Sequence, residues 1–214
     1  MKAVVFDMDG TILHTLPDLA VAANAALDAM GYPRRTYGEI EAFMGNGAQR
    51  LIECCVPDGT PDSLKKRTFE VWRSIYLQSG YTNTAPFPGI VEAIRQLRAA
   101  SVKTAVLSNK FDAGVQALNQ RFFPGLFDAA RGEVPPTPRK PDPTSLLQMI
   151  HELGVSPRET AYVGDTRVDV RTARAAGVFM AGVSWGYDHA NPLPIDELDA
   201  YLHEPGELIS LATR

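Results

Sequence analysis

The chain has 214 residues, of which 45% are hydrophobic and 21% are charged, and its formal net charge is −4. This length lies above the commonest size of one domain and below that of two, so we expect a core domain that carries an insert. The acidic balance argues against a nucleic-acid or anionic membrane partner, because such partners require a concentrated excess of Lys and Arg. No segment approaches the roughly 20 consecutive apolar residues of a membrane span.

The two cysteines, Cys54 and Cys55, are adjacent in the sequence. Neighbouring cysteines rarely form a disulfide because the bridge strains the backbone, so we expect two free thiols. The apolar run near the N-terminus is too short and too close to acidic residues to be a secretory signal. Together these features predict a cytoplasmic protein.

Four short apolar runs, each closed by polar residues, predict buried strands. They cover residues 3–6, 102–107, 160–163 and 178–183. Segments with helical spacing lie between them, for example over 90–100 and 143–153. Strands that alternate with helices indicate an α/β fold with a parallel sheet covered by helices.

The stretch from about residue 16 to residue 79 breaks this alternation. Its apolar residues recur at helical spacing, and no strand pattern interrupts them. The turn-rich segment 84–89 then leads back to the core. We therefore predict a core over residues 1–15 and 83–214, with a helical cap domain inserted after the first strand over residues 16–82.

The first predicted strand ends in two acidic residues, Asp7 and Asp9. They are two positions apart on a continuing strand, so both carboxylates face the same side. Carboxylates this close repel one another unless a cation compensates, which is the arrangement of a site for a hard metal ion. Ordinary turn formation by Asp and Gly is the competing interpretation.

The second predicted strand is followed by Ser108 and Asn109, which lead into a helix-like segment over 111–119. A hydroxyl beside a helix N-terminus suits a phosphate, because unpaired backbone N–H groups point towards the anion. A helix cap is the competing interpretation.

Further along, Lys140 precedes Pro141, and the rigid chain there leaves one ammonium free to balance phosphate and carboxylate charge.

Two more acidic residues, Asp165 and Asp169, follow the third predicted strand. Their four-residue spacing places both on one face if a helical turn begins there, so both could face a metal ion. For Asp169, a position in the first turn of a helix, where it would complement the helix dipole, is the alternative.

Taken together, these residues resemble the four motifs of the haloacid dehalogenase-like hydrolase superfamily. In chain order the matching residues are Asp7-Met8-Asp9-Gly10-Thr11, Ser108, Lys140, and Gly164-Asp165 with Asp169. The resemblance covers almost the whole chain, and four motifs at four strand ends are far more specific than one. The sequences of residues 44–48, 108–110 and 140–143 are similar to those of the phosphoglycolate phosphatase branch. This branch is close to bacterial pyrophosphatases of the same fold.

The resemblance implies a role for each acidic residue. Asp7 is then the nucleophile, and Asp9 protonates the leaving alcohol before it activates water against an aspartyl-phosphate. Asp7, the backbone oxygen of Asp9, and Asp165 would hold Mg²⁺, with Asp169 close by in a second shell. The presence of Asp9 argues against a dehalogenase, which attacks carbon and has no use for a second catalytic carboxylate.

The resemblance also implies which residues hold the substrate. Ser108, Asn109 and Lys140 would bind the phosphate. Spacing alone leaves open whether Gly45 and Gly47 form a turn between helices or contact the substrate, and the resemblance favours substrate contact.

Two further residues are left without a role. Arg50 could bind a substrate carboxylate, but a surface arginine is the simpler interpretation. His189 lies near a predicted strand end with no second ligand beside it.

The expected function is that of a phosphoric monoester hydrolase, a Mg²⁺-dependent phosphatase acting on a small phosphorylated metabolite such as phosphoglycolate. A phosphomutase of the same family and an inorganic pyrophosphatase remain open. A non-catalytic binding module on this fold should have lost at least one of Asp7, Asp9, Lys140 and Asp165, and none is lost.

Overall fold

The computed structural model describes residues 1–187 and 192–214. Six parallel strands form the main sheet in the order β5-β4-β1-β6-β7-β8, and β2 and β3 form a separate antiparallel ribbon. The strands are β1 (Ala3–Phe6), β2 (Leu13–His14), β3 (Ala85–Pro86), β4 (Lys103–Phe111), β5 (Ala129–Glu133), β6 (Thr160–Gly164), β7 (Phe179–Val183) and β8 (Ala200–Leu202). The predicted α/β class with a parallel sheet is confirmed.

Eight α-helices accompany these strands in the described part of the chain. They are α1 (Leu16–Ala29), α2 (Tyr37–Ala42), α3 (Ala48–Cys55), α4 (Asp62–Gln78), α5 (Ile90–Ala99), α6 (Asp112–Phe122), α7 (Thr144–Glu152) and α8 (Arg167–Ala176). Short 3₁₀ segments cover Pro157–Glu159, Ile195–Glu197 and Pro205–Thr213. No described helix is both long enough and apolar enough to cross a membrane.

Burial on both faces of the sheet explains why its strands are continuous apolar runs. Successive side chains of β1 point to opposite faces. Val4 and Phe6 pack with α5, α6 and the helices of the 16–78 segment, whereas Ala3 and Val5 pack with α7 and α8. The result is a three-layer arrangement with β1 fully buried at its centre.

Four helices and no strand occupy residues 16–78. Helix α4 packs along α1 and α3, and its Trp72 and Tyr76 are fully buried. Just outside this segment, β2 pairs with β3, so the two chain connections run side by side. The division into a core over 1–15 and 83–214 and a cap over 16–82 stays a prediction.

The strand after residue 102 differs from the sequence prediction. Ser108, Asn109 and Lys110 belong to β4, which continues to Phe111, and α6 begins only at Asp112. The extension pairs with β5, an edge strand whose sequence Ala-Ala-Arg-Gly-Glu lacks the β-branched and aromatic residues that signal a strand. Ser108 thus lies within β4, four positions before the first residue of α6, and its part in phosphate binding stays a prediction.

A buried carboxylate links the two connections. Asp18, in the first turn of α1, accepts hydrogen bonds from the backbone and the side-chain amide of Asn83 and from the Thr84 hydroxyl. Asp18 is 3% exposed, so these donors would be left unsatisfied without it.

We expect Asp18→Ala to lower the free energy of unfolding by roughly 2–4 kcal/mol, because several buried donors lose their acceptor. Urea unfolding followed by circular dichroism would measure this. Asp28→Ala is the matched control on the same helix, since Asp28 pairs with Arg34 on the surface, and we expect no measurable change there. Equal stability of Asp18→Ala and wild type would contradict the structural role of Asp18.

Candidate active site

The carboxyl ends of β1, β4 and β6 bring most of the predicted residues together. Ligands bind at this edge in parallel α/β sheets because loops diverge there and leave a crevice. A pocket lies between these strand ends and the helices of the 16–78 segment. Among the residues that line it are Asp7, Asp9, Met44, Gly45, Gly47, Ser108, Asn109, Lys110, Thr166 and Tyr187.

Asp7 follows β1 directly and is almost fully buried at the base of the pocket. The Lys140 ammonium lies 3.0 Å from its Oδ1, yet no described residue donates a well-directed hydrogen bond to this oxygen. Burial raises the pKa of Asp7 to about 6; the Lys140 ammonium opposes the shift, and Asp169 and Asp9 add to it. The Asp7 carboxylate is thus held beside a buried cation.

Lys140 is buried, not free as the sequence suggested. Its ammonium donates to the Tyr162 hydroxyl at 2.8 Å and to Asp169 Oδ1 at 2.7 Å, and it forms an ion pair with Asp7 Oδ1. Burial alone would lower the pKa of Lys140, but Asp169 and Asp7 raise it well above its ordinary value. The lysine therefore stays charged beneath the pocket.

Asp165 and Asp169 are both fully buried, but their surroundings differ. Asp165 accepts one hydrogen bond from the Thr11 hydroxyl and one from the backbone of Tyr187. Burial, followed by Asp169 and Asp7, raises its pKa. In Asp169, Oδ1 accepts from Lys140, and Oδ2 accepts from the backbone and hydroxyl of Thr166, which caps α8.

Three of these carboxylates form an acidic cluster that could hold a divalent cation. One oxygen each of Asp7, Asp165 and Asp169 lies within 4.8 Å of the others. The side chain of Asp9 is not part of this acidic cluster. Both its oxygens accept hydrogen bonds from the Lys110 ammonium, at 3.1 and 3.2 Å. The expected repulsion between Asp7 and Asp9 is thus partly relieved by a lysine that the sequence analysis did not assign.

The amide of Asn109 is used by the protein itself. Its Nδ2 donates to the carbonyls of Lys140 and Gly45, and its Oδ1 accepts from the backbone N–H of Lys140. Both amide protons are occupied, so the Asn109 side chain joins the Lys140 loop to the Gly45 turn. Asn109 also lines the pocket, and its part in phosphate binding stays a prediction.

Ser108, Gly45 and Gly47 line the pocket as expected of residues near a substrate. Ser108 Oγ accepts from the Lys110 backbone, and no described residue accepts its hydroxyl proton. Gly47 has φ of 84°, and a Cβ there would lie 3.1 Å from the Asn109 carbonyl. Glycine is therefore required where this turn approaches β4.

Two residues that the sequence analysis left without a role remain. Arg50 is largely exposed and pairs with Glu53 at 3.6 Å. His189 lies outside the described residues.

Sequence reasoning missed the roles of Lys110 and Tyr162. Lys110 carried a usable signal, because a strand that continues through it places residues 108 and 110 on one side. Both line the pocket. Tyr162 sits inside an apolar run and reads as core from sequence alone, although its hydroxyl meets Lys140.

Comparison with known proteins places this architecture in a family. Residues 4–183 match the family model for haloacid dehalogenase-like hydrolases. The phosphoglycolate phosphatase of Pseudomonas putida is 33% identical over 228 residues, covering 99% of this chain and 83% of that protein. That of Nitrosospira multiformis is 33% identical over 218 residues, covering 98% and 96%.

A solved structure gives the same result at the level of the fold. A candidate phosphoglycolate phosphatase from Lactobacillus delbrueckii subsp. bulgaricus superimposes with a TM-score of 0.90 and 31% identity, covering 99% of this chain and 98% of that one. The chain belongs to the haloacid dehalogenase-like hydrolases and is similar to their phosphoglycolate phosphatase branch.

Proposed function

We propose that the protein is a Mg²⁺-dependent phosphatase that hydrolyses a small phosphate monoester of the phosphoglycolate class through an aspartyl-phosphate on Asp7. The observation that carries this proposal is the Asp7 carboxylate, which lines the pocket, pairs with the buried Lys140 ammonium at 3.0 Å and belongs to the acidic cluster with Asp165 and Asp169. A carboxylate that lines a pocket beside a cation can attack phosphorus.

The acidic cluster fits Mg²⁺ by the chemistry of its donors. Mg²⁺ prefers oxygen ligands, and buried carboxylates packed this closely need a compensating cation. The Asp169 carboxylate is already paired with the Lys140 ammonium, whereas Asp165 accepts hydrogen bonds only from the uncharged groups of Thr11 and Tyr187. We therefore assign the metal to Asp7, Asp165 and the backbone oxygen of Asp9. When bound, the ion would neutralise charge that develops on the transferring phosphoryl group.

The chain's own residues account for the two proton transfers and for phosphoryl binding. In the first step an Asp7 oxygen bonds to phosphorus while Asp9 gives a proton to the leaving alcohol. In the second step Asp9 takes a proton from the attacking water, and the bond between phosphorus and Asp7 breaks. Ser108 and Lys140 hold phosphoryl oxygens, and Asp169 and Tyr162 hold Lys140 in place.

Substrate selection falls to the predicted cap. Its Gly45 turn lines the same pocket as Asp7 and is tied to the core through Asn109. We propose that this segment closes over the substrate as a lid and contacts its leaving group. Phosphoglycolate is the candidate substrate because the relatives with about one third identity bear that name.

A substrate panel tests the proposed class. Phosphoglycolate, pyrophosphate and several sugar phosphates would be compared by inorganic phosphate release with Mg²⁺ present. We expect the highest kcat/KM for phosphoglycolate. Preference for pyrophosphate, or phosphate transfer to a second sugar position without release, would instead support the pyrophosphatase or the phosphomutase alternative.

Asp7→Asn should abolish turnover while the fold is kept, because an amide has the shape of the carboxyl group but is a far poorer nucleophile. Phosphate release and a circular dichroism spectrum would be measured on the same preparation. Wild-type activity should disappear in EDTA and return with Mg²⁺. A folded Asp7→Asn protein with near-normal turnover would exclude this mechanism.

The pKa of Asp7 leads to a test that needs no activity. Its folded-state value of about 6 exceeds the ordinary 3.8, so its contribution to stability is present at low pH and is lost as pH rises through 6. In EDTA at pH 7.5, Asp7→Asn should be more stable than wild type by up to about 3 kcal/mol, and the gap should shrink towards pH 5. Mg²⁺ should stabilise wild type more than the variant. A gap that does not depend on pH would contradict the raised pKa.

Gly47→Leu should impair turnover of phosphoglycolate more than turnover of para-nitrophenyl phosphate, because the generic ester makes few contacts with the predicted cap. Gly59→Leu is the matched control: Gly59 also has positive φ, but nothing lies within 4 Å of a Cβ placed there. The two kcat/KM values would be measured for each variant. Equal losses for both esters in Gly47→Leu would make the turn structural.

A further inference from the structure

Lys110 is a buried cation that the proposed phosphoryl chemistry leaves without a role. It lies near the end of β4 with its side chain only 2% exposed. Its ammonium contacts both oxygens of the Asp9 carboxylate, at 3.1 and 3.2 Å. In the described part of the chain, no other residue hydrogen-bonds to that carboxylate, so Lys110 alone fixes its orientation.

The second contact of Lys110 comes from the helical segment. Its ammonium lies 4.7 Å from the ring centre of Tyr76 on α4, within the range of a cation–π interaction. Tyr76 stacks on Trp72 with centroids 5.1 Å apart, and both meet the edge of Phe111, the residue next to Lys110 on β4. These three rings cover the ion pair on the side of the helices.

This arrangement links the Asp9 carboxylate, which must transfer protons, to α4, a helix of the 16–78 segment. Because Trp72 and Tyr76 are fully buried, they keep water from the ammonium and strengthen its attraction to Asp9. If Lys110 were absent, the Asp9 carboxylate would be free to rotate in the pocket. A general base contributes only when it lies within hydrogen-bond reach of the proton that it removes.

We propose that Lys110 is a positioning residue: it aims the Asp9 carboxylate at the attacking water, and the Tyr76 ring holds Lys110 in place while α4 is seated on the core. The inference rests on the proposed function, in which Asp9 activates water. In that step the Asp9 carboxylate accepts one proton from water, the water oxygen bonds to phosphorus, and the electron pair of the broken phosphorus–oxygen bond returns to the Asp7 carboxylate.

The test uses Lys110→Met, which keeps the length of the side chain and removes its charge, with para-nitrophenyl phosphate as substrate. This ester has a good leaving group that needs no proton, so kcat/KM reports the attack by Asp7, and kcat reports breakdown of the aspartyl-phosphate. We expect kcat to fall roughly 100-fold and kcat/KM to fall much less. A burst of close to one nitrophenolate per active site should precede the slow turnover.

Four further variants separate positioning from general damage. Lys110→Arg should recover part of kcat because it keeps the charge. Tyr76→Leu should lower kcat by up to about tenfold, whereas Tyr76→Phe keeps the ring that faces the ammonium and should lower kcat less. Lys103→Met, at the exposed start of the same strand, should leave both constants unchanged.

Equal losses of kcat and kcat/KM in Lys110→Met, with no burst, would overturn this inference and leave the proposed function intact. Wild-type protein that hydrolyses no phosphate ester would overturn the proposed function, and this inference with it. A wild-type kcat in Lys110→Met would show that Asp9 needs no help in its orientation.

Discussion

The site depends on one buried ammonium, that of Lys140. It binds Asp169 and Tyr162 and lies 3.0 Å from Asp7, so residues that follow two different strands, together with β6 itself, converge on it. Three carboxylates could not share this volume without a positive charge, because each would be both desolvated and repelled by its neighbours. One ammonium offsets only part of their charge, and the remainder is what makes the cluster suited to a further cation.

A second buried lysine, Lys110, pairs with the other carboxylate of the first loop. Lys110 takes up the Asp9 carboxylate and keeps it apart from the acidic cluster beneath. The two neighbouring carboxylates of the first loop are therefore given different partners, one facing a possible metal and one facing the helical segment. Different surroundings are how two groups of the same type come to do different chemistry.

The sequence predicted four of the six strands of the sheet and the residues that gather at their ends, because buried strands and polar strand ends leave a clear local pattern. Asp7, Asp165 and Lys140 could be placed in one site for that reason. What local pattern could not show was the pairing across the site: Asn109 spends its amide on backbone groups, and Lys140 is held by Tyr162. The edge strand β5 was missed because its Arg-Gly-Glu ending looks like a loop until its partner is known.

The ribbon formed by β2 and β3 means that the chain leaves the core and returns to it at adjacent points. A chain that closed directly from Leu13 to Pro86 would need to span only the distance between paired strands. The helices between these points could thus be exchanged during evolution for a different segment without disturbing the charges under the pocket. Substrate selection and catalysis could then diverge separately, constrained where residues of β4 such as Asn109, Lys110 and Phe111 contact the helical segment.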